Sequence, residues 1–290
     1  MSSVDLGDVH LNVEVAGAGK PLVLLPGFTE SAELWADNAA ALAGSFKVVA
    51  VDLLGHGKSD AHGDAARYRF ERCVEDLAAV QDALDIGHAH WLGYSMGGRI
   101  ALAFALTHPG RVDRLILESA SPGIADAAER CSRGERDEAL ALSIESDGVA
   151  AFVDEWLRQP LFATQARLSP ETRAAARAVR LANSPVGMAN SLRGAGAGAQ
   201  VSYWNRLPEL AASTLLLVGE EDEKFRAIAH AMVARMPSAK VAVIPGAGHS
   251  THLENPAEFR RRVIEFLTAE GNQPPAPGGQ FDRQVGKEDL

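Results

Sequence analysis

The sequence predicts an α/β fold: a mostly parallel central sheet flanked by helices, interrupted once by an inserted helical cap. Three observations carry this. Short, continuously apolar runs recur along the chain, the pattern of strands buried on both faces of a sheet. Stretches with helical periodicity alternate with them. The alternation then stops between residues 122 and 207, where Ala, Arg and Glu at helical spacing replace the β-branched runs.

Taken in order, residues 11–15 alternate and read as an edge strand, and 21–25 (PLVLL) as a buried strand. Pro26-Gly27-Phe28 breaks that run, and 31–42 reads as a helix. A second buried strand at 47–51 leads into Asp52-Leu53-Leu54-Gly55-His56-Gly57-Lys58-Ser59, and 70–84 is helical. Strand 89–92, a helix from Arg99 to Leu106 and strand 115–117 follow. In the cap, 125–142, 149–158 and 171–181 read as separate helices. Strand patterning returns at 214–218 and 240–244, with helices at 228–236 and 256–268, the last opened by Pro256. The expected organisation is a core at 1–121 and 208–270, a cap at 122–207, and a disordered tail at 271–290. The tail's Pro- and Gly-rich run followed by mixed charge cannot bury a face.

The chain has 290 residues, 47% of them hydrophobic, enough to bury a sizeable core. A formal net charge of −10 argues against nucleic acid, which requires a surplus of Lys and Arg. It also makes single arginines near a pocket informative. Two cysteines, Cys73 and Cys131, make neither a disulfide framework nor a metal cluster, and read as free thiols of a reducing compartment. The first 15 residues lack the basic and apolar regions of a signal peptide. No apolar run approaches the roughly 18 residues of a membrane span. A soluble cytoplasmic protein, a monomer or small homo-oligomer, is expected.

The chemistry centres on Gly93-Tyr94-Ser95-Met96-Gly97, a G-x-S-x-G elbow between a strand and a helix. Such a turn lifts the serine hydroxyl above the sheet edge, beside a helix N-terminus able to bind an oxyanion. A serine needs a base, and the base an orienting acid. Asp222 follows strand 214–218, and His249 ends the glycine-rich loop after strand 240–244, which gives the order Ser, Asp, His. Glu220 and Glu221 stay open as the acid and His252 as the base; His56 reads as structural. His10, His62, His88, His90, His108 and His230 read as surface or packing residues. Backbone N–H groups of Met96 and Phe28 are the expected oxyanion donors. Arg99, four residues after the serine, sets a fixed positive charge beside it.

Over residues 1–270 these features resemble the α/β-hydrolase fold. Arg99, the cap stretches 118–124 and 152–162 with Arg130 and Arg133, the run 191–198 and Gly219-Glu220-Glu221-Asp222-Glu223-Lys224-Phe225 narrow the likeness. Together they resemble the 2-succinyl-6-hydroxy-2,4-cyclohexadiene-1-carboxylate synthases (MenH) of menaquinone biosynthesis. The resemblance implies a lyase that eliminates pyruvate from a small-molecule tricarboxylate, without metal or organic cofactor. It implies Ser95, Asp222 and His249 as the triad and Phe28 and Met96 as the oxyanion hole. Arg99 and Arg133 would bind carboxylates, with Arg130 and Arg136 near enough to exchange roles with Arg133, and Tyr94 and Trp156 would line the pocket. Many members carry His-Gly-Phe where this chain has Pro26-Gly27-Phe28, so a contact from that side chain is not expected here. A hydrolase of an ester, lactone or C–C bond, and a non-catalytic receptor, are the other readings.

Overall fold

A computed structural model describes residues 2–269 of the chain, and within them the apolar runs assemble into one eight-stranded sheet. In chain order its strands are β1 (Ser2–Asp5), β2 (His10–Ala16), β3 (Pro21–Leu25), β4 (Lys47–Val51), β5 (Ala89–Tyr94), β6 (Val112–Glu118), β7 (Ser213–Gly219) and β8 (Ala239–Ile244). Their spatial order is β1-β2-β4-β3-β5-β6-β7-β8. Strand β2 is antiparallel to both neighbours, and all pairings from β4 to β8 are parallel. The tail expected at 271–290 lies outside the described residues.

Strand β3 shows why these runs are continuously apolar. Leu22 and Leu24 point into one core cluster, Val23 and Leu25 into the other. Helices α1 (Ala36–Leu42) and α9 (Pro256–Thr268), the latter preceded by the short α8 (Thr251–Glu254), cover the first face, where Trp35, Leu42, Phe259 and Val263 meet Leu92 and Ile116. Helices α2 (Phe70–Ala83), α3 (Met96–Thr107) and α7 (Glu223–Val233) cover the second, where Leu77, Ile100, Phe104 and Met232 meet Trp91 and Leu115. Each large apolar side chain buried there contributes about 1.5–3 kcal/mol.

Residues 11–15 do not form an edge. Ser2–Asp5 pairs outside β2, Ser2 opposite Val13 and Asp5 opposite His10. Only Val4 of that short strand is buried, so its sequence carries almost no apolar signal. The helix read at 31–42 opens instead as a 3₁₀ turn, Ala32–Trp35, before α1.

Between β6 and β7 the regular structure is helical: α4 (Ala127–Trp156), α5 (Pro170–Leu181), α6 (Pro185–Ala195) and two 3₁₀ segments. Gly148, at φ 83°, breaks the helical path inside α4, so the two helices read at 125–142 and 149–158 join through this one residue. Helix α6 escapes propensity, being rich in Gly, Ser and Asn. It forms because Met188, Ala189 and Leu192 pack against Ala141, Ile144 and Phe152 of α4. Its start is marked in sequence by Ser184-Pro185, a capping serine followed by proline at the first helical position, the same signal as Ser169-Pro170 in α5. Among the described residues no helix is long and apolar enough to cross a membrane.

Candidate active site

Ser95 is the single residue between β5 and α3, at φ 49° and ψ −107°. That strained backbone is the mark of a nucleophile elbow. Its N–H donates to the Glu118 carbonyl of β6 at 2.8 Å. A Cβ at Gly97 would sit 2.5 Å from the Leu25 and Pro26 carbonyl oxygens, and one at Gly93 would strike the Gly97 backbone. Only glycine lets strand and helix approach this closely.

The loops after β7 and β8 bring Asp222 and His249 to the same sheet edge. His249 Nε2 lies 3.2 Å from Ser95 Oγ, and His249 Nδ1 lies 2.7 Å from Asp222 Oδ2. Both side chains are buried. Asp222 also caps α7, accepting the Phe225 N–H at 3.3 Å. The competing acids are engaged elsewhere: Glu220 accepts the Gly246 N–H, and Glu221 pairs with Arg167. His252 is engaged by Glu118 instead, with Nδ1 2.9 Å from Oε1. His56 holds the Leu54 carbonyl.

Phe28 and Met96 line the same cavity as Ser95 and His249. Met96 is the first residue of α3, where backbone N–H groups have no intrahelical acceptor. Among the described residues neither the Phe28 nor the Met96 N–H has a backbone acceptor. Phe28 meets Trp156 edge-on at 5.4 Å, and Trp156 stacks on Phe152. Pro26 is not among the lining residues.

The cavity, about 1120 Å³, runs between the sheet edge and the helices that lie between β6 and β7 in the chain, and includes Tyr94, Arg99, Arg133 and Trp156. Arg99 Nη1 donates to Gln200 Oε1 at 2.8 Å and Nη2 to the Ala195 carbonyl at 3.0 Å, over the Phe70 ring. Burial, and then the nearby Arg133 charge, depress the Arg99 pKa to about 10. The guanidinium thus remains charged near neutrality, but desolvated and crowded by a like charge, which favours an incoming anion. Arg133 is anchored through Nε to Asp137 at 2.7 Å. Of its neighbours, Arg136 lines the cavity, whereas Arg130 donates to the Ile124 carbonyl and is not among the lining residues. Tyr94 donates to or accepts from Ser250 Oγ at 2.7 Å, and burial, then the Glu30 charge, hold its phenol well above the ordinary value.

The sequence reading misses a buried charge cluster behind Tyr94. Glu118, at the end of β6, accepts from Thr251 Oγ1, His252 N and His252 Nδ1. Glu30 pairs with Arg180 of α5 at 2.7 Å, and its other oxygen lies 3.8 Å from His252 Nε2. These partners are 133 to 222 positions apart, and no local pattern connects them. The charged side chains inside otherwise apolar stretches, Glu118 above all, are the only sequence trace.

A family profile described as the alpha/beta hydrolase fold matches residues 20–256. A Bacillus subtilis (strain 168) protein provisionally named 2-succinyl-6-hydroxy-2,4-cyclohexadiene-1-carboxylate synthase is 43% identical over 256 residues, 88% of this chain and 93% of the relative. The solved structure of MenH from S. aureus superposes with a TM-score of 0.84 at 34% identity, covering 89% of this chain and 97% of that one. A thermophilic esterase from Thermogutta terrifontis superposes with a TM-score of 0.80 at 28% identity, over 91% of this chain and 96% of that one.

Proposed function

The chain belongs to the α/β hydrolase family and within it to the 2-succinyl-6-hydroxy-2,4-cyclohexadiene-1-carboxylate synthases, and from this premise we propose how it works as a lyase. It removes pyruvate from 2-succinyl-5-enolpyruvyl-6-hydroxy-3-cyclohexene-1-carboxylate. The observation that carries the reading is the pairing of a complete Ser95–His249–Asp222 relay with Arg99 and Arg133 in one cavity of an acidic chain. A hydrolase needs the relay; a substrate with three carboxylates needs the arginines as well.

The substrate's own ketone makes its C2 hydrogen acidic, so the reaction needs no metal or organic cofactor to generate a carbanion. His249, oriented by Asp222, accepts the Ser95 hydroxyl proton, and Ser95 Oγ takes the C2 proton. The electrons of the C2–H bond move into C2=C3, those of C3=C4 into C4=C5, and the C5–O bond breaks. Negative charge passes through the succinyl ketone oxygen, which the Phe28 and Met96 N–H groups receive. The proton held by His249 is returned as the departing enolate becomes pyruvate. Ser95 acts as a base and is never acylated. Tyr94 and Trp156 pack the ring, and the cap excludes water.

The unpaired Cys73 and Cys131 support a reducing, cytoplasmic setting. The net charge of −10 supports a small-molecule enzyme with no nucleic-acid partner, and a monomer or small homo-oligomer is part of the proposal. Turnover of short p-nitrophenyl esters, compared with pyruvate release from the enolpyruvyl intermediate made in situ by the preceding synthase, tests the reading. Pyruvate release well above the spontaneous rate with weak esterolysis is expected. Strong, saturable esterolysis without pyruvate release would assign a hydrolase instead.

A further inference from the structure

The turn that carries the Phe28 N–H is held from the cap. The Glu30 N–H donates to the Gly27 carbonyl at 3.1 Å and closes the turn. Inside it Thr29 has φ 72°. This left-handed conformation costs a β-branched residue about 1–3 kcal/mol and persists only where the surroundings enforce it. The enforcing contacts come from the C-terminal end of α5 and the residues just beyond. Asn183, buried, donates through Nδ2 to the Thr29 carbonyl at 2.7 Å and to the Arg180 carbonyl at 3.0 Å. Its Oδ1 accepts the Gly57 N–H at 2.8 Å. Arg180 Nη2 donates to Glu30 Oε1 at 2.7 Å, with both side chains 2% exposed. Thr29 and Glu30 line the cavity; Asn183 is not among the lining residues. Its hydrogen bonds go to three backbone groups, two of them in loops at the sheet edge.

We propose that Asn183 is a positioning residue supplied by the cap: it fixes the strained Thr29 peptide and so aims the Phe28 N–H at the oxyanion. An oxyanion donor is worth about 10²–10³ in rate only when it meets the developing charge at hydrogen-bond distance. Relaxation of Thr29 to an ordinary conformation would swing the Phe28–Thr29 peptide and, through the Gly27–Glu30 turn, carry the Gly27–Phe28 peptide with its donor out of place. The cap therefore builds part of the catalytic apparatus in addition to covering it. The inference rests on the proposed function in one respect, the role of Phe28 as donor.

Asn183→Asp tests this. It is isosteric and keeps an acceptor for the Gly57 N–H, but replaces the donor facing the Thr29 carbonyl. Asn183→Ala serves if the buried carboxylate prevents folding. The expected result is a fall of about tenfold or more in kcat for pyruvate release with KM within about threefold, as for an interaction made in the transition state. Faster amide hydrogen exchange in peptides covering residues 27–30 should accompany it. A purely structural role would lower the melting temperature and leave kcat per folded molecule unchanged. A folded variant with kcat within about twofold of wild type, or with unchanged exchange at 27–30, overturns the proposal. If the wild-type protein releases no pyruvate, the proposed function falls and this inference does not. The same variants are then compared on p-nitrophenyl acetate, whose hydrolysis uses the same donors, and by the same exchange measurement.

Discussion

Asp222 serves two elements at once: one carboxylate oxygen lies 2.7 Å from His249 Nδ1, and the other accepts the Phe225 N–H that opens α7. The acid proposed to orient the base is thereby held itself by a helix start. Asp222→Asn should keep an oxygen for the cap and lose the acceptor for His249. A fall in kcat of about 10⁴-fold with little change in melting temperature is expected, the scale seen when a triad acid is replaced by its amide. Asp222→Ala should lose activity and, in addition, about 1 kcal/mol of stability through the missing cap. Steady-state kinetics and thermal melts on the two variants separate the roles.

Arg99 holds two buried acceptors and also places charge in the cavity. It is desolvated beside Arg133, and in the proposed function a substrate carboxylate completes its surroundings. Arg99→Met should lower kcat/KM by about 2–5 kcal/mol of lost transition-state binding. The same change strands the buried Gln200 Oε1 and the Ala195 carbonyl, so the melting temperature of the ligand-free protein should fall as well. Unchanged kcat/KM would remove Arg99 from the anion site.

His252 should make stability depend on pH. Burial disfavours its charge, but the adjoining Glu118 and then Glu30 outweigh burial and raise its pKa. A raised folded-state pKa gives stabilisation that is complete below the unfolded value of about 6.5 and disappears as pH rises through the folded value. The melting-temperature difference between wild type and Glu118→Gln should therefore shrink as pH rises above about 6.5. A difference that is flat or grows with pH would show that His252 is not charged in the fold.

Gly27 bounds the oxyanion turn on its other side. A Cβ there would lie 2.7 Å from the Tyr94 ring. Gly27→Ala should displace either the ring or the turn and cost about 10-fold or more in kcat, since donor placement is lost. Rescue of that loss by Gly27→Ala combined with Tyr94→Phe would contradict the steric account, because the clash is with ring carbons that both residues share.

The fold and the proposed relay can be read from sequence because their signals are local. Leu22 to Leu25 declare a buried strand by themselves, and Ser95, Asp222 and His249 each lie in the turn or loop that follows a strand. Arg99 was visible because helical spacing sets it one turn beyond the serine. Strand β1 was invisible since Val4 alone is buried, and α6 because its helix comes from packing on α4. The Glu118–His252 and Glu30–Arg180 pairs, and Asn183 on Thr29, join residues more than 130 positions apart. Their sequence offers only polar residues whose burial the tertiary structure decides.

The central claim is that Ser95 serves as the base for pyruvate elimination. The initial rate of pyruvate release from freshly generated enolpyruvyl intermediate, measured for wild type, Ser95→Ala and no enzyme, tests it most directly. Wild type should exceed the spontaneous rate by orders of magnitude, and Ser95→Ala should lose about 10³-fold or more of that excess. A Ser95→Ala protein that retains the wild-type rate, or a wild type no faster than the background, would contradict it.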